Sequence, residues 1–313
     1  MSVNKEYLEY PYRRPGMDHD RYARDNVFTR KRIKWPNDAR VALWIMPLVE
    51  YFPLDMPLNA VPGGMTRPYP DYWNYTLREY GNRVGIFRII RALDEREIRA
   101  SAAFNSRAAR RYPFLLDQVL RRDWEVVAMG VDMGKIHQGG IDREREAQWI
   151  GESLATLREL SGQPVKGWVS PGLSESFHTP DHVADEDVVY ICDWMNDDLP
   201  YFFKVMRQGK EDFIVAMPHG HEISDLKLMA DYGHTPKQYS EQVIDYFELI
   251  YREAENYGGR ILSLPLHAWL MGTPSRIGSL EMILDHIFSR EGVWIATGHE
   301  ILACWRDQTE RPK

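Results

Sequence analysis

A chain of 313 residues with 44% hydrophobic and 27% charged side chains can fill one large or two ordinary domains, and its balance is globular rather than disordered or fibrous. Its net charge of −7 argues against a nucleic-acid or anionic-membrane surface, so no nucleic-acid and no membrane partner is expected. Two cysteines, Cys192 and Cys304, are too few for a disulfide scaffold. With no stretch of signal-peptide or membrane-spanning character, they lead us to expect a cytoplasmic location.

Residues 1–39 are polar and broken by Pro11, Pro15 and Pro36. They read as an N-terminal arm that frays or packs on a neighbouring subunit. Residues 40–313 contain no Pro/Ser-rich linker and read as a single domain. Val41 to Met46 is a continuous apolar run, the pattern of a strand buried on both faces, and Glu50 follows at its carboxyl end. The stretch from Pro53 to Tyr72, rich in Pro, Gly and Met, predicts a long irregular loop. Spacing predicts an amphipathic helix over Ile86–Leu93, then a strand over Ala100–Asn105, a helix over Phe114–Arg121 and a strand over Trp124–Ala128.

A loop with four glycines, Met129 to Gly140, precedes a charged helix from Asp142 to Ser161 with Gly162 as its stop. Strand-like runs follow at Val165–Val169, Val188–Cys192 and Phe213–Met217. They end respectively in Ser170-Pro171-Gly172, in Asn196-Asp197-Asp198-Leu199-Pro200 and in Pro218-His219-Gly220-His221-Glu222. A helix over Pro236–Tyr257 leads to Leu262–His267, a strand ending on a histidine with Trp269 beside it, and a helix over Ile277–Phe288. Val293–Ala296 is the last strand. Strand and helix alternate about seven times, which predicts an α/β protein with a parallel sheet, most simply a closed or nearly closed barrel. Neither the dinucleotide nor the P-loop glycine pattern is present, so nucleotide cofactors have no support.

Four stretches together resemble the polysaccharide deacetylase superfamily, particularly its allantoinase-like and cyclic-imidase-like branch. Glu79-Tyr80-Gly81-Asn82-Arg83-Val84-Gly85 is similar to that branch's E-Y-G-x-R-x-G pattern. Gly167 to Gly172 falls where deacetylases carry a strand ending in an Arg-Pro-Gly-type turn. Asp197-Asp198-Leu199-Pro200-Tyr201 matches D-D-L-P-Y, and Leu266-His267 with Gly272, Pro274 and Arg276 matches the late histidine motif. The resemblance spans about residues 40–305. It implies a distorted (β/α) barrel with six to eight strands, hydrolysis of carbon–nitrogen bonds other than peptide bonds, and, with the arm, a homo-oligomer.

The departures from the family pattern matter as much. Metal-dependent members carry two adjacent Asp after the first strand and a His-x-x-x-His loop after the third. Here those positions hold Val49-Glu50 and Met129 with Met133. Thioethers are poor ligands for Zn²⁺ and harder cations, so no metal and no other cofactor is expected, as in the allantoinase-like relatives.

On this reading Glu50 is the general base and His267 the acid that protonates a leaving nitrogen. Arg83, His137, Trp168, Ser170, Pro171, Asp198, His219, His221 and Trp269 are the candidate contacts to a small-molecule substrate, with Trp168 and Trp269 as apolar walls and the backbone near Ser170–Gly172 as an oxyanion site. The expected substrate is a cyclic amide, imide or ureide. Two alternatives remain open: a zinc-type deacetylase of an acetylated sugar with a rebuilt site from His219, His221, Glu50 or Asp225, and His267, and a non-catalytic ligand-binding member.

Overall fold

The computed structural model describes residues 19–23, 25–56 and 68–312. The first half of the arm and most of the predicted Pro53–Tyr72 loop lie outside them. Nine strands form one sheet: β1 (Val41–Val49), β2 (Ser101–Phe104), β3 (Glu125–Ala128), β4 (Gly167–Trp168), β5 (Tyr190–Ile191), β6 (Tyr201–Arg207), β7 (Lys210–Ala216), β8 (Arg260–His267) and β9 (Val293–Ile295). Their order is β6-β7-β5-β4-β3-β2-β1-β8, with β9 on the start of β1. All pairings are parallel except β6 with β7.

The sheet curls. The rings of Trp44 on β1 and Tyr190 on β5 meet with centroids 6.2 Å apart, although four strand spacings would separate them by about 19 Å in a flat sheet. Alternate residues Ala42, Trp44, Met46 and Leu48 therefore line the concave side, with Val127, Val215 and Met217. Leu43, Ile45 and Val49 belong to the outer cluster packed beneath the helices. Of the closed or nearly closed barrel that the sequence predicts, the structure is the second: the sheet is not closed, because β6 and β8 are edges that do not pair with each other. The outer edge of β6 is satisfied from elsewhere: Lys204 N–H donates to the Arg21 carbonyl at 2.6 Å and Met206 N–H to Asp181 at 2.9 Å. An edge whose polar groups are already met has no call on a further strand.

β6 is the strand that sequence reading misses, since its half-buried alternation follows directly on a loop motif. The described part of the arm packs on its own chain. Ile33 and Trp35 are buried, the Trp35 indole N–H donates to the Arg260 carbonyl at 2.8 Å, and Arg21 pairs with Asp181 at 2.6 Å in the interior. Among the described residues no helix is long and apolar enough to cross a membrane.

The glycine-containing motif at residues 79–85 acquires a structural reason. Helix Tyr72–Tyr80 runs through a π-helical turn, Gly81–Gly85, into helix Ile86–Asp94. This run lies directly on the segment after β8. A Cβ on Gly81 would sit 2.6 Å from Trp269 N, and one on Gly85 would sit 2.1 Å from the Ala268 carbonyl oxygen. Only hydrogen at those Cα atoms permits the approach, which fixes the helix beside Trp269.

Candidate active site

The register of β1 on β8 pairs Leu48 with His267, so the carboxyl ends of the two strands lie side by side, where α/β sheets place their sites. Glu50 continues the inward series Ala42 to Leu48. His267 continues the inward series of β8, because Leu262, Leu264 and Leu266 face the outer core. Glu50 is buried, and its Oε2 accepts the Trp269 indole N–H at 2.8 Å. Its backbone is held from two sides. Asn82 Nδ2 donates to the Glu50 carbonyl at 2.7 Å, and Asn105 Oδ1 accepts from the next amide, that of Tyr51, at 2.7 Å.

His267 is oriented by Asp225, which is fully buried. The Nδ1–H donates to Asp225 Oδ1 at 2.7 Å and the His267 backbone N–H donates to Oδ2 at 2.9 Å. A carboxylate acceptor on Nδ1 leaves Nε2 as the nitrogen for chemistry. Burial disfavours the charged ring, but Asp225 and Glu50 outweigh it and lift His267 to about 9. Burial pushes the Glu50 carboxyl above its ordinary range, against the attraction of His267, the Trp269 hydrogen bond and Arg78. The result is a carboxylate able to take a proton and an imidazolium able to give one, near enough to feel each other's charge.

The structure thus brings Glu50, His267 and Trp269 together, and places His219 next to them. His219 is 4% exposed, and burial, with His267 and His221 close by, lowers it to about 3. His221 is half-buried, and burial lowers it as well. Other candidates are committed elsewhere. Arg83 lies on the exposed side of the π-helical turn. His137 is buried against Glu146 at 3.1 Å and against the Trp168 ring. Trp168 is completely buried in the outer core, with its indole N–H donated to Ser170 Oγ, so it is no wall of the cleft. The Ser170 amide and hydroxyl both donate to Asp193, at 2.8 and 2.7 Å, and Pro171 has no N–H and packs on Gly130. The oxyanion site expected there is therefore not supplied by Ser170 or Pro171. Asp198 is exposed, while its neighbour Asp197 binds Arg30 of the arm at 2.5 and 2.7 Å.

Three contributors escaped the sequence reading. In sequence Asp225 suggests only a metal ligand, and nothing local marks its bond to a histidine 42 positions on. Arg78 is buried over the Phe52 ring at 4.2 Å and the Trp269 ring at 5.8 Å. Burial lowers it, opposed by Glu50 and Asp71. Its spacing of four from Asn82 would have placed both on one helix face, had the helix been started before Ile86. Asn105 closes a strand whose last polar residue gave no other sign.

The positions that hold a cation in metal-dependent relatives do not suit one here. Val49 is fully buried and faces the outer core, and Met129 and Met133 are buried in the inner cluster. Apolar and thioether groups are the wrong donors for Zn²⁺. Of the residues suggested for a rebuilt cation site, Asp225 has both oxygens engaged by His267. Among the described residues no three His, Cys, Asp or Glu side chains are placed to hold a metal.

Trp269→Phe keeps the ring and removes the N–H that favours ionised Glu50. Its expected result is an acid limb of the rate–pH profile moved to higher pH, with the alkaline limb in place. A profile identical to wild type would detach Trp269 from Glu50.

No protein-family model matches the chain. A Schizosaccharomyces pombe protein assigned to the polysaccharide deacetylases is 24% identical over 239 residues, covering 72% of this chain and 74% of its own length. The crystal structure of PuuE allantoinase superposes with a TM-score of 0.78 at 24% identity, over 93% of this chain and 99% of that one. A Pseudomonas aeruginosa protein described as a probable polysaccharide deacetylase gives the same TM-score and identity, over 93% and 100% of the two chains.

Proposed function

We propose that this chain, similar to polysaccharide deacetylases in sequence and to them and an allantoinase in fold, hydrolyses a carbon–nitrogen bond of a small cyclic amide, imide or ureide, with Glu50 as base, His267 as acid and no metal in the step. The relatives are named as deacetylases and an allantoinase, hydrolases of carbon–nitrogen bonds other than peptide bonds, and that is the coarse class. The observation that carries the finer reading is the paired support of the two groups: Glu50 held by Trp269, and His267 held by Asp225.

In the first step Glu50 takes a proton from water as the oxygen attacks the ring carbonyl. The C=O π pair moves to oxygen, and the imidazolium of His267 and the guanidinium of Arg78 supply the positive field for that oxyanion. In the second step the pair returns, the C–N bond breaks, and His267 Nε2–H protonates the departing nitrogen. The products are a carboxylic acid and an amine, amide or urea, for a cyclic amide, imide or ureide respectively, joined by the opened ring. The proton on Glu50 passes to His267, directly or by exchange with solvent, which restores both groups and closes the cycle. Trp269 and Phe52 provide apolar surface for a small planar ring.

The test is an assay of the purified chain against cyclic ureides, cyclic imides and N-acetylglucosamine oligomers, each before and after chelation. Ring opening that survives chelation is expected. Activity on the acetylated sugar alone, lost on chelation and restored by Zn²⁺, would replace this reading by the metal-dependent one.

A further inference from the structure

His219 lies at the carboxyl end of β7, on the loop Pro218–His221. It is almost wholly buried, yet neither Nδ1 nor Nε2 has a hydrogen-bond partner among the described residues. The Ser263 hydroxyl on β8 is in the same condition, 3% exposed and without a partner. Buried polar groups in native proteins nearly always have partners, so two orphans in one place ask for a ligand.

The two belong to one locality. Gly220 rests on the β8 backbone so closely that a Cβ there would lie 2.0 Å from the Ser263 carbonyl oxygen. Its φ of +67° turns the loop onto that strand. Ser263 and His267 share the inward face of β8, four residues apart, so the hydroxyl sits about 13 Å along the strand below the imidazole. His219 comes near enough to His267 to feel its charge. Trp44 is paired in register with Ser263, and Met46 with Pro265 between Ser263 and His267; with Met217 they belong to the apolar inner cluster.

We propose that His219 and Ser263 form the inner end of the cleft and select the substrate by an uncharged N–H/C=O pair remote from the bond that is cut. A neutral imidazole offers one donor and one acceptor, and a hydroxyl can act as either. Burial, with His267 and His221 close by, lowers His219 to about 3, so its imidazole is neutral at working pH and itself offers no charge to a carboxylate or an ammonium group. Charged substituents at that end are rejected by desolvation, while a neutral amide-like edge satisfies both orphans. This specificity role rests on the ring-amide reading above and adds to it a requirement on the end of the substrate remote from the cut bond.

The probe is 2-imidazolidinone, a stable neutral cyclic urea, compared with its 4-carboxylate by calorimetry on the full chain. Wild type is expected to bind the neutral probe at least about tenfold more tightly than the anion. His219→Ala should erase that difference, and His219→Asn should restore most of it, because an amide also presents a donor and an acceptor. Ser263→Ala, a smaller change with little risk to folding, should weaken the neutral probe several-fold. Equal binding of the two probes by wild type, or a preference that survives His219→Ala, would overturn the proposal. Ring-opening turnover is measured alongside. Turnover with a preference indifferent to His219 leaves the hydrolase reading standing and removes the pocket. A His219-dependent preference without turnover of any ring does the reverse.

Discussion

Glu50→Gln is expected to lower kcat by about a thousandfold while KM stays within a few-fold of wild type. The substitution is nearly isosteric. The amide oxygen still accepts from the Trp269 indole, and the backbone contacts to Asn82 and Asn105 do not involve the side chain. What disappears is the capacity to take a proton from water. A loss confined to kcat identifies a group that acts in the transition state and not in ground-state binding. Turnover equal to wild type would remove Glu50 from the mechanism. A rise in KM with unchanged kcat would demote it to a substrate contact.

The second large effect is expected at Asp225, which touches no substrate in this scheme and acts through His267. Hydrolysis needs Glu50 ionised and His267 protonated, so the rate should rise with pH through the elevated Glu50 value and fall as pH passes about 9, where His267 loses its proton. In Asp225→Asn the imidazolium loses its strongest support while its burial remains. The alkaline limb should therefore move well below the ordinary histidine region near 6.5, because burial then outweighs what Glu50 still supplies, and kcat at neutral pH should fall by about a hundredfold. A merely structural role would lower the rate without moving that limb, so the position of the limb is the deciding measurement. Asp225→Glu, which restores the charge, should return part of the shift.

Much of the scaffold can be read from the chain. The strands of β1, β2, β3 and β8 and the helices Pro236–Tyr257 and Ile277–Phe288 fall where apolar periodicity and turn residues place them, because side-chain alternation within one element depends only on which face is buried. Short elements were less legible. Helices Ser106–Arg111, Thr179–Asp185 and Ala268–Met271 are too brief for a period to show, and their formation depends on what they pack against. The site divides in the same way. Glu50 and His267 could be picked out as polar residues at strand ends, and the family pattern singled them out further. Trp168 and His137 satisfy the same logic, but their neighbours in space claim them: Ser170 the indole N–H, and Glu146 the imidazole.

The sequence alone determined the alternating α/β layout, the strand ends that carry Glu50 and His267, and the departures from the family pattern at Val49, Met129 and Met133, since each is written in residue types and short spacings. Only the tertiary structure decided which groups act on which. The indole that steadies Glu50 comes from 219 positions away, and the carboxylate that charges His267 stands 42 positions before it. Those unions depend on strand order and on a parallel register between β1 and β8. Both are set by the packing energy of the whole sheet, a quantity that no local window of the chain contains.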